Sequence, residues 1–213
     1  MDSKAMYKLS YGLFVLTTKV GDKDNGCITN TAIQVTTDPN RIVFAVNKAN
    51  YTHEMLMESK AFNISILSED ASFDTFKRFG FQSGKDVDKF ADYGEPGVKG
   101  KFDRAVNGIT YIKEGTNAFI SGTVFHTIDL GSHTLFLCDV TDMEVLSDAS
   151  SATYEYYQKN IKPKPEAVGT TSTGKTVWRC KVCGYIFEGE ELPEDFICPW
   201  CKHPASDFEK VVQ

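Results

Sequence analysis

Strand-length apolar runs and period-two alternation fill most of the chain, and helical periodicity is confined to a few short stretches. Residues 4–9 can form one or two helical turns before Gly12, after which Leu13-Phe-Val-Leu-Thr-Thr reads as a strand of apolar and β-branched residues. Residues 21–26 read as a hairpin turn, with Asn25-Gly26 as its signal. Residues 27–37 continue as a polar-rich strand, or strand plus loop, up to the break at Asp38-Pro39. Residues 41–46 are apolar enough for a strand buried on both faces. Thr52 can cap a helix over residues 53–59, residues 61–67 alternate as a strand should, and Ser68 can cap a second helix over residues 71–79. Residues 80–101 are rich in glycine and charge without a sustained period, which predicts a long surface loop and a candidate lid. A strand at residues 109–112 and a long pair, residues 118–130 and 133–146, complete the set. Ser150 or Ser151 starts a last helix whose Tyr154, Tyr156 and Tyr157 pack on the rest. About six or seven antiparallel strands with few helices predict a mainly β fold closed into a barrel, because closure removes exposed edges.

From residue 162 to 175 the chain is rich in Pro, Thr and Gly and lacks large apolar residues, so it reads as a linker. This divides the 213 residues into a domain at 1–161, the linker at 162–175 and a small module at 176–213. A net charge of −6 and the absence of any Lys/Arg-rich run leave no footprint for nucleic acid or an anionic membrane. The apolar runs are strand-sized and residues 1–10 lack a signal-peptide core, so a cytoplasmic location is expected. Cys27 and Cys138 lie far apart in apolar-rich segments and read as buried free thiols.

The sharpest chemistry is in the last module, where Cys180, Cys183, Cys198 and Cys201 form two CxxC pairs. Two such turns converge four sulfurs on one ion, a tetrahedral shell that suits zinc or iron. Trp178, Tyr185, Phe187, Phe196, Trp200 and Phe208 crowd the same stretch, enough to wall a metal centre from water, which favours iron. Gly184, directly after a ligand, is free to take a positive φ and turn its N–H toward a thiolate. From Trp178 to about Val211 the segment resembles rubredoxin, and more closely the short rubredoxin-like domain of rubrerythrins, on CxxCGYIFEGE, CPWC, His203-Pro204 and Phe208. Only 14 residues separate the second and third cysteines, and Lys202 stands where many rubredoxins place glycine. The resemblance implies a single iron held by the four cysteines.

Residues 7 to about 160 resemble the flavin reductase-like, FMN-binding split-barrel family. The matching residues are Tyr11-Gly-Leu-Phe-Val-Leu-Thr-Thr, Ile28-Thr-Asn-Thr-Ala-Ile-Gln-Val-Thr-Thr-Asp-Pro, Val46-Asn-Lys-Ala-Asn-Tyr-Thr, Phe79-Gly-Phe-Gln-Ser-Gly with Lys89-Phe90, and Asp129-Leu-Gly-Ser-His. The resemblance implies bound FMN, NAD(P)H as donor and a homodimer. Thr29, Asn30, Thr31 and Ala32, followed by Val35 and Thr36, are small enough for backbone donors to approach an isoalloxazine ring. Asn47, Lys48 and Thr52 supply an amide, a charge and a hydroxyl for the flavin phosphate near a helix start. Ser83 and Gly84 match a family loop near the flavin edge, and His133 matches a histidine beside the nicotinamide site, preceded by Ser132 where the family usually has Asp. A Rossmann GxGxxG is absent from the sequence.

Joined on one chain, the two resemblances imply a relay from NAD(P)H through FMN to an iron held by four cysteines and on to a protein acceptor. The whole resembles the flavin reductase and rubredoxin fusions called high-molecular-weight rubredoxins, and that resemblance implies a flavodiiron protein as acceptor. The alternative is an NAD(P)H:flavin reductase carrying a structural zinc ribbon as a docking module. A rubrerythrin-like diiron peroxidase is set aside, because no histidine has Glu three residues before it.

Overall fold

The computed structural model describes residues 3–93, 95, 100–163, 176–181, 184–199 and 203–212. The N-terminal part is an antiparallel sheet of seven strands in the order β2-β1-β5-β8-β9-β4-β3, curled into a split barrel. It begins with a hairpin of β1 (Phe14–Val20) and β2 (Lys23–Thr29). Val20 pairs with Lys23, so the turn is Gly21-Asp22, and Gly21 takes the left-handed φ of +57° that such a turn requires. The expected turn at Asn25-Gly26 is therefore corrected: both residues lie inside β2, opposite Thr18 and Thr17. Gly26 is there for space, since a Cβ on it would sit 2.8 Å from the Leu16 carbonyl.

The stretch after β2 resolves into β3 (Ile33–Thr37), which pairs with β4 (Asn40–Asn47) around a bulge at Val35. β4 is not buried on both faces. Ile42, Phe44 and Val46 face the core while Val43 and Ala45 are half-exposed, the alternation of a sheet with one wet side. Helix α1 (Tyr51–Ser59) is capped by Asn50 rather than Thr52, the Asn50 Oδ1 accepting from the Thr52 N–H at 3.0 Å. β5 (Ala61–Leu67) has the expected bounds, whereas α2 (Phe73–Gly80) starts two residues late, with Ser72 rather than Ser68 at its N-cap. A short ladder of β6 (Phe102–Arg104) and β7 (Thr110–Ile112) precedes the long pair β8 (Thr116–Asp129) and β9 (His133–Val145), whose two bulges bend the sheet. β6, too short to carry a period, was invisible in the sequence.

Phe44, Phe62 and Phe136 lie at the centre of the barrel with no exposed surface, each stabilising it by roughly 1.5–3 kcal/mol through burial. A second cluster forms under α2, where the Phe76 and Tyr157 rings meet at a 35° tilt with centroids 4.3 Å apart. The tyrosine segment, Tyr154–Tyr156 and a π turn at Tyr157–Ile161, thus packs on the barrel as expected. The loop after α2 is not a free lid over its described residues. Lys89 and Phe90 are buried at 4% and 7% exposure, and Arg78 clamps Asp92 with two hydrogen bonds of 2.7 Å.

The C-terminal module is a three-stranded sheet of β10 (Thr176–Cys180), β11 (Ile186–Glu188) and β12 (Phe208–Val212), in the order β11-β10-β12. Its core is Cys180, Cys198 and Phe208, ringed by Trp178, Tyr185, Phe187, Leu192 and Phe196. Among the described residues, no helix is long and apolar enough to cross a membrane.

Candidate functional site

β3 is an edge strand, so one row of its backbone N–H and C=O groups has no ladder partner. All five of its side chains are exposed, including Ile33 at 61% and Val35 at 48%. The link into β3 is held more firmly. Thr31 Oγ1 accepts from the Ala45 N–H at 2.9 Å and donates to the Ala45 carbonyl at 3.2 Å, while Thr29 Oγ1 reaches the same carbonyl at 3.3 Å. Two threonine hydroxyls thus extend the ladder where the β3–β4 pairing stops. Asn30 and Ala32 are half-buried beside them. An open row of donors beside exposed apolar side chains fits a flat heteroaromatic ring such as isoalloxazine.

Pairing of β4 with β9 brings Asn47 opposite His133, although they lie far apart in the chain. The Lys48 N–H donates to the Ser132 carbonyl at 3.0 Å, and the His133 Nδ1 lies 2.9 Å from Ser132 Oγ. Asn47 Oδ1 accepts from the Ala49 N–H, and Lys48 Nζ pairs with Asp129 at 2.7 Å. That ammonium, followed by the Gly131 N–H, holds the Asp129 carboxyl below the usual carboxylate range. Asn47, Lys48 and His133 therefore share one rim.

Thr52 is placed otherwise. It is fully buried, and its Oγ1 accepts from Asn25 Nδ2 at 3.0 Å, so it braces the interior of the rim. Gly84 is pressed against that same asparagine, and its carbonyl accepts from Lys23 Nζ at 2.8 Å. Ser83, half-buried, accepts from the Lys85 N–H. The Asn25 Oδ1 is buried with no hydrogen-bond partner, an unmet acceptor directly beneath Gly84.

Three groups at this rim escaped the sequence reading. His53 Nε2 lies 2.8 Å from Thr134 Oγ1 and its ring meets Phe136 edge-on. Burial, then the charges of Lys48 and Lys60, lower its pKa and keep the imidazole neutral at pH 7. Lys89 drives its ammonium into the barrel end, donating to the carbonyls of Gly26 at 2.8 Å and Phe79 at 3.4 Å, and burial lowers it to about 8. Asn25 is the third. Lys89 lies in a family motif and Asn25 in a turn signal, but neither these nor His53 carried a periodic signal for this role, because their partners are distant in the chain.

In the module, Cys180 and Cys198 are buried at 1% and 0% exposure, at the starts of two tight knuckles. Gly184 has the expected positive φ, +84°, but its N–H donates to the Cys180 carbonyl rather than to a thiolate, and the Cys180 N–H donates to the Tyr185 carbonyl. At the second knuckle the Cys198 N–H donates to the His203 carbonyl at 2.8 Å. Cys183, Cys201 and Lys202 lie outside the described residues. Two buried sulfurs on matching turns inside an aromatic wall are a soft donor set, which fits an iron or zinc ion. Cys27 and Cys138 are buried free thiols, as expected, and burial pushes both thiols up, which leaves them inert.

The chain belongs to the flavin reductase like domain family, which matches residues 6–164, and residues 178–209 match the rubrerythrin, rubredoxin-like domain. Barrel and module together define a flavin oxidoreductase joined to a rubredoxin-like iron module, a combination for flavin-based electron transfer. Over 99% of its length the chain is 33% identical to the high molecular weight rubredoxin of Moorella thermoacetica, covering 100% of that protein. It is also 35% identical to the ferric-chelate reductase (NAD(P)H) of Archaeoglobus fulgidus, over 80% of this chain and 96% of that one. The barrel fold recurs in the NADH:FAD oxidoreductase SgcE6 of Streptomyces globisporus, with a TM-score of 0.61, 18% identity, and 78% and 92% of the two chains covered.

Proposed function

We propose that the protein oxidises NAD(P)H at an FMN held on the barrel rim and passes electrons singly, through one iron held by Cys180, Cys183, Cys198 and Cys201, to a separate redox protein of the flavodiiron type. The observation that carries this reading is the union, on one chain, of a barrel with an open donor edge and a module with buried thiols on paired knuckles. Similarity to a high molecular weight rubredoxin and to a ferric-chelate reductase (NAD(P)H) supports both halves. FMN, when bound, supplies the exchange between two-electron hydride chemistry and single electrons, and thiolate-bound iron carries one electron at a time.

The chain's own residues divide the work. Thr29, Asn30, Thr31 and Ala32 form the floor under the ring, fixed by the Ala45 hydrogen bonds, and Val35 and Thr36 on the edge strand offer backbone donors. Asn47 and Lys48 take the phosphate. Lys48 can exchange Asp129 for it, because an exposed ion pair is held weakly and a phosphate carries more charge. Thr52 acts from within by holding Asn25 under the braced loop of Ser83 and Gly84, which borders the flavin edge. His133 orients the nicotinamide from the rim. A second copy of the chain covers the apolar edge at Ile33 and Val35, giving a homodimer, and residues 162–175 tether residues 176–213 to the barrel.

Anaerobic titration with NADH and with NADPH under an ultraviolet-visible spectrometer tests this reading, together with metal analysis. Flavin bands should bleach first and ferric-thiolate bands after, with one iron per chain. A colourless module holding zinc, or a flavin that neither nucleotide bleaches, would refute it.

A further inference from the structure

Phe81, immediately after α2, is a half-buried aromatic whose packing partners are the cysteine-centred cluster of the C-terminal module. It is fixed from the barrel side, its N–H donating to the Lys77 carbonyl at 3.2 Å and its ring meeting Phe73 edge-on at 5.8 Å. The loop leaving it is fixed as well: at Gly84 the chain is clamped by Lys23 and pressed on Asn25. Three residues span at most about 10 Å, so Phe81 joins the proposed flavin loop to the module by a short, braced path. A second touch lies near Pro163, whose carbonyl is 3.9 Å from where a Cβ on Gly184 would stand. Beside it a cleft of about 300 Å³ runs between Gln158 and Lys162 on one side and Arg179, Cys180 and Glu209 on the other.

We infer that Phe81 is the seat on which the module docks against the barrel, holding its cysteine-centred core next to the Ser83–Gly84 loop while it takes up electrons. An aromatic anchor supplies the specificity of such a contact. The cleft separates part of the two faces, which favours a reversible contact, as weak electron-transfer encounters are. The uptake role rests on the proposed function above, whereas the docking rests on the contacts alone. Each docked event would move one electron from reduced flavin to a ferric centre, which must pass it to the acceptor protein before the next event, so the two electrons of a hydride from NAD(P)H would leave the barrel in two events, with the flavin's protons released to solvent.

The test uses the full-length, flavin- and iron-loaded protein and its Phe81→Asp variant, with Phe81→Ala as a milder second. Retained flavin absorbance reports that the barrel is folded. Small-angle scattering should show a larger radius of gyration for Phe81→Asp. Anaerobic stopped-flow should show iron bleaching slowed by about tenfold, the size of a modest hot-spot loss, with flavin bleaching by NADH unchanged. Scattering and iron kinetics unchanged in both variants would overturn the inference. If wild-type iron never bleaches after the flavin while Phe81→Asp still expands, docking stands and the relay falls.

Discussion

Replacing Gly84 with alanine puts a methyl where the structure has no room. The added Cβ would lie 2.2 Å from Asn25 Oδ1, 2.6 Å from its Cγ and 2.8 Å from its Nδ2. The obstacle cannot swing aside easily, since Asn25 is 1% exposed and its amide nitrogen donates to the buried Thr52 hydroxyl. Either Asn25 turns and gives up that hydrogen bond, at about 0.5–1.5 kcal/mol, or the loop lifts and breaks the Lys23 contact to the Gly84 carbonyl. Overpacking of this kind costs about 1–3 kcal/mol. If the loop lifts, the loss falls on flavin affinity, a weakening of roughly five- to 150-fold. If Asn25 turns, it falls on the melting temperature of the flavin-free protein. Quenching of FMN fluorescence on titration, with thermal melts of the apoprotein, separates the two, and iron content should not change. Asn25→Ala removes the obstacle, so Gly84→Ala in that background should cost far less than in the wild type. A Gly84→Ala variant with wild-type flavin affinity and melting temperature, or full additivity with Asn25→Ala, would refute the contact.

Two further outcomes are expected. The Lys89 ammonium is lowered to about 8 by burial, partly offset by Cys27, while the unfolded chain keeps the ordinary lysine value near ~10.4. Between those values the unfolded chain binds more protons, so stability rises with pH across that window, by at most about 3 kcal/mol, and the native state carries the full cost of the buried charge below pH 8. In urea unfolding from pH 7.5 upward the wild type should gain stability relative to Lys89→Met as the pH rises; a pH-independent difference would show that the amine is not held in a dry site. Cys198→Ser, at a fully buried thiol, should abolish the ferric-thiolate colour and lower the melting temperature of the module while the flavin spectrum stays intact, because the barrel core shares no residue with it. Loss of flavin along with metal would contradict that independence.

What the sequence determined by itself was whatever depends on near neighbours in the chain. Alternation of Phe62 and Ile64 with Asn63 and Ser65 marked residues 61–67 as a strand, and β5 has those same bounds, although both of its faces are buried and the polar one is held by hydrogen bonds to Ile109 and Ile112. Cys180 and Cys198, the first cysteine of each CxxC pair, fall in one buried cluster, and the glycine after Cys183 adopts the backbone its position called for. The tertiary structure alone decided what meets what. Asn25-Gly26 carries a strong local turn signal, yet it is strand, because Gly26 must pass under the Leu16 carbonyl and only Gly21 is placed to turn. Thr52 looked like an exposed cap, but Asn50 took that role once Asn25 had drawn the threonine hydroxyl inward. Lys89 reaches the Gly26 carbonyl across 63 residues, and Lys48 reaches Asp129 across 81. Such pairs leave no periodic trace, since sheet register and loop closure, not the order of neighbouring side chains, bring them together.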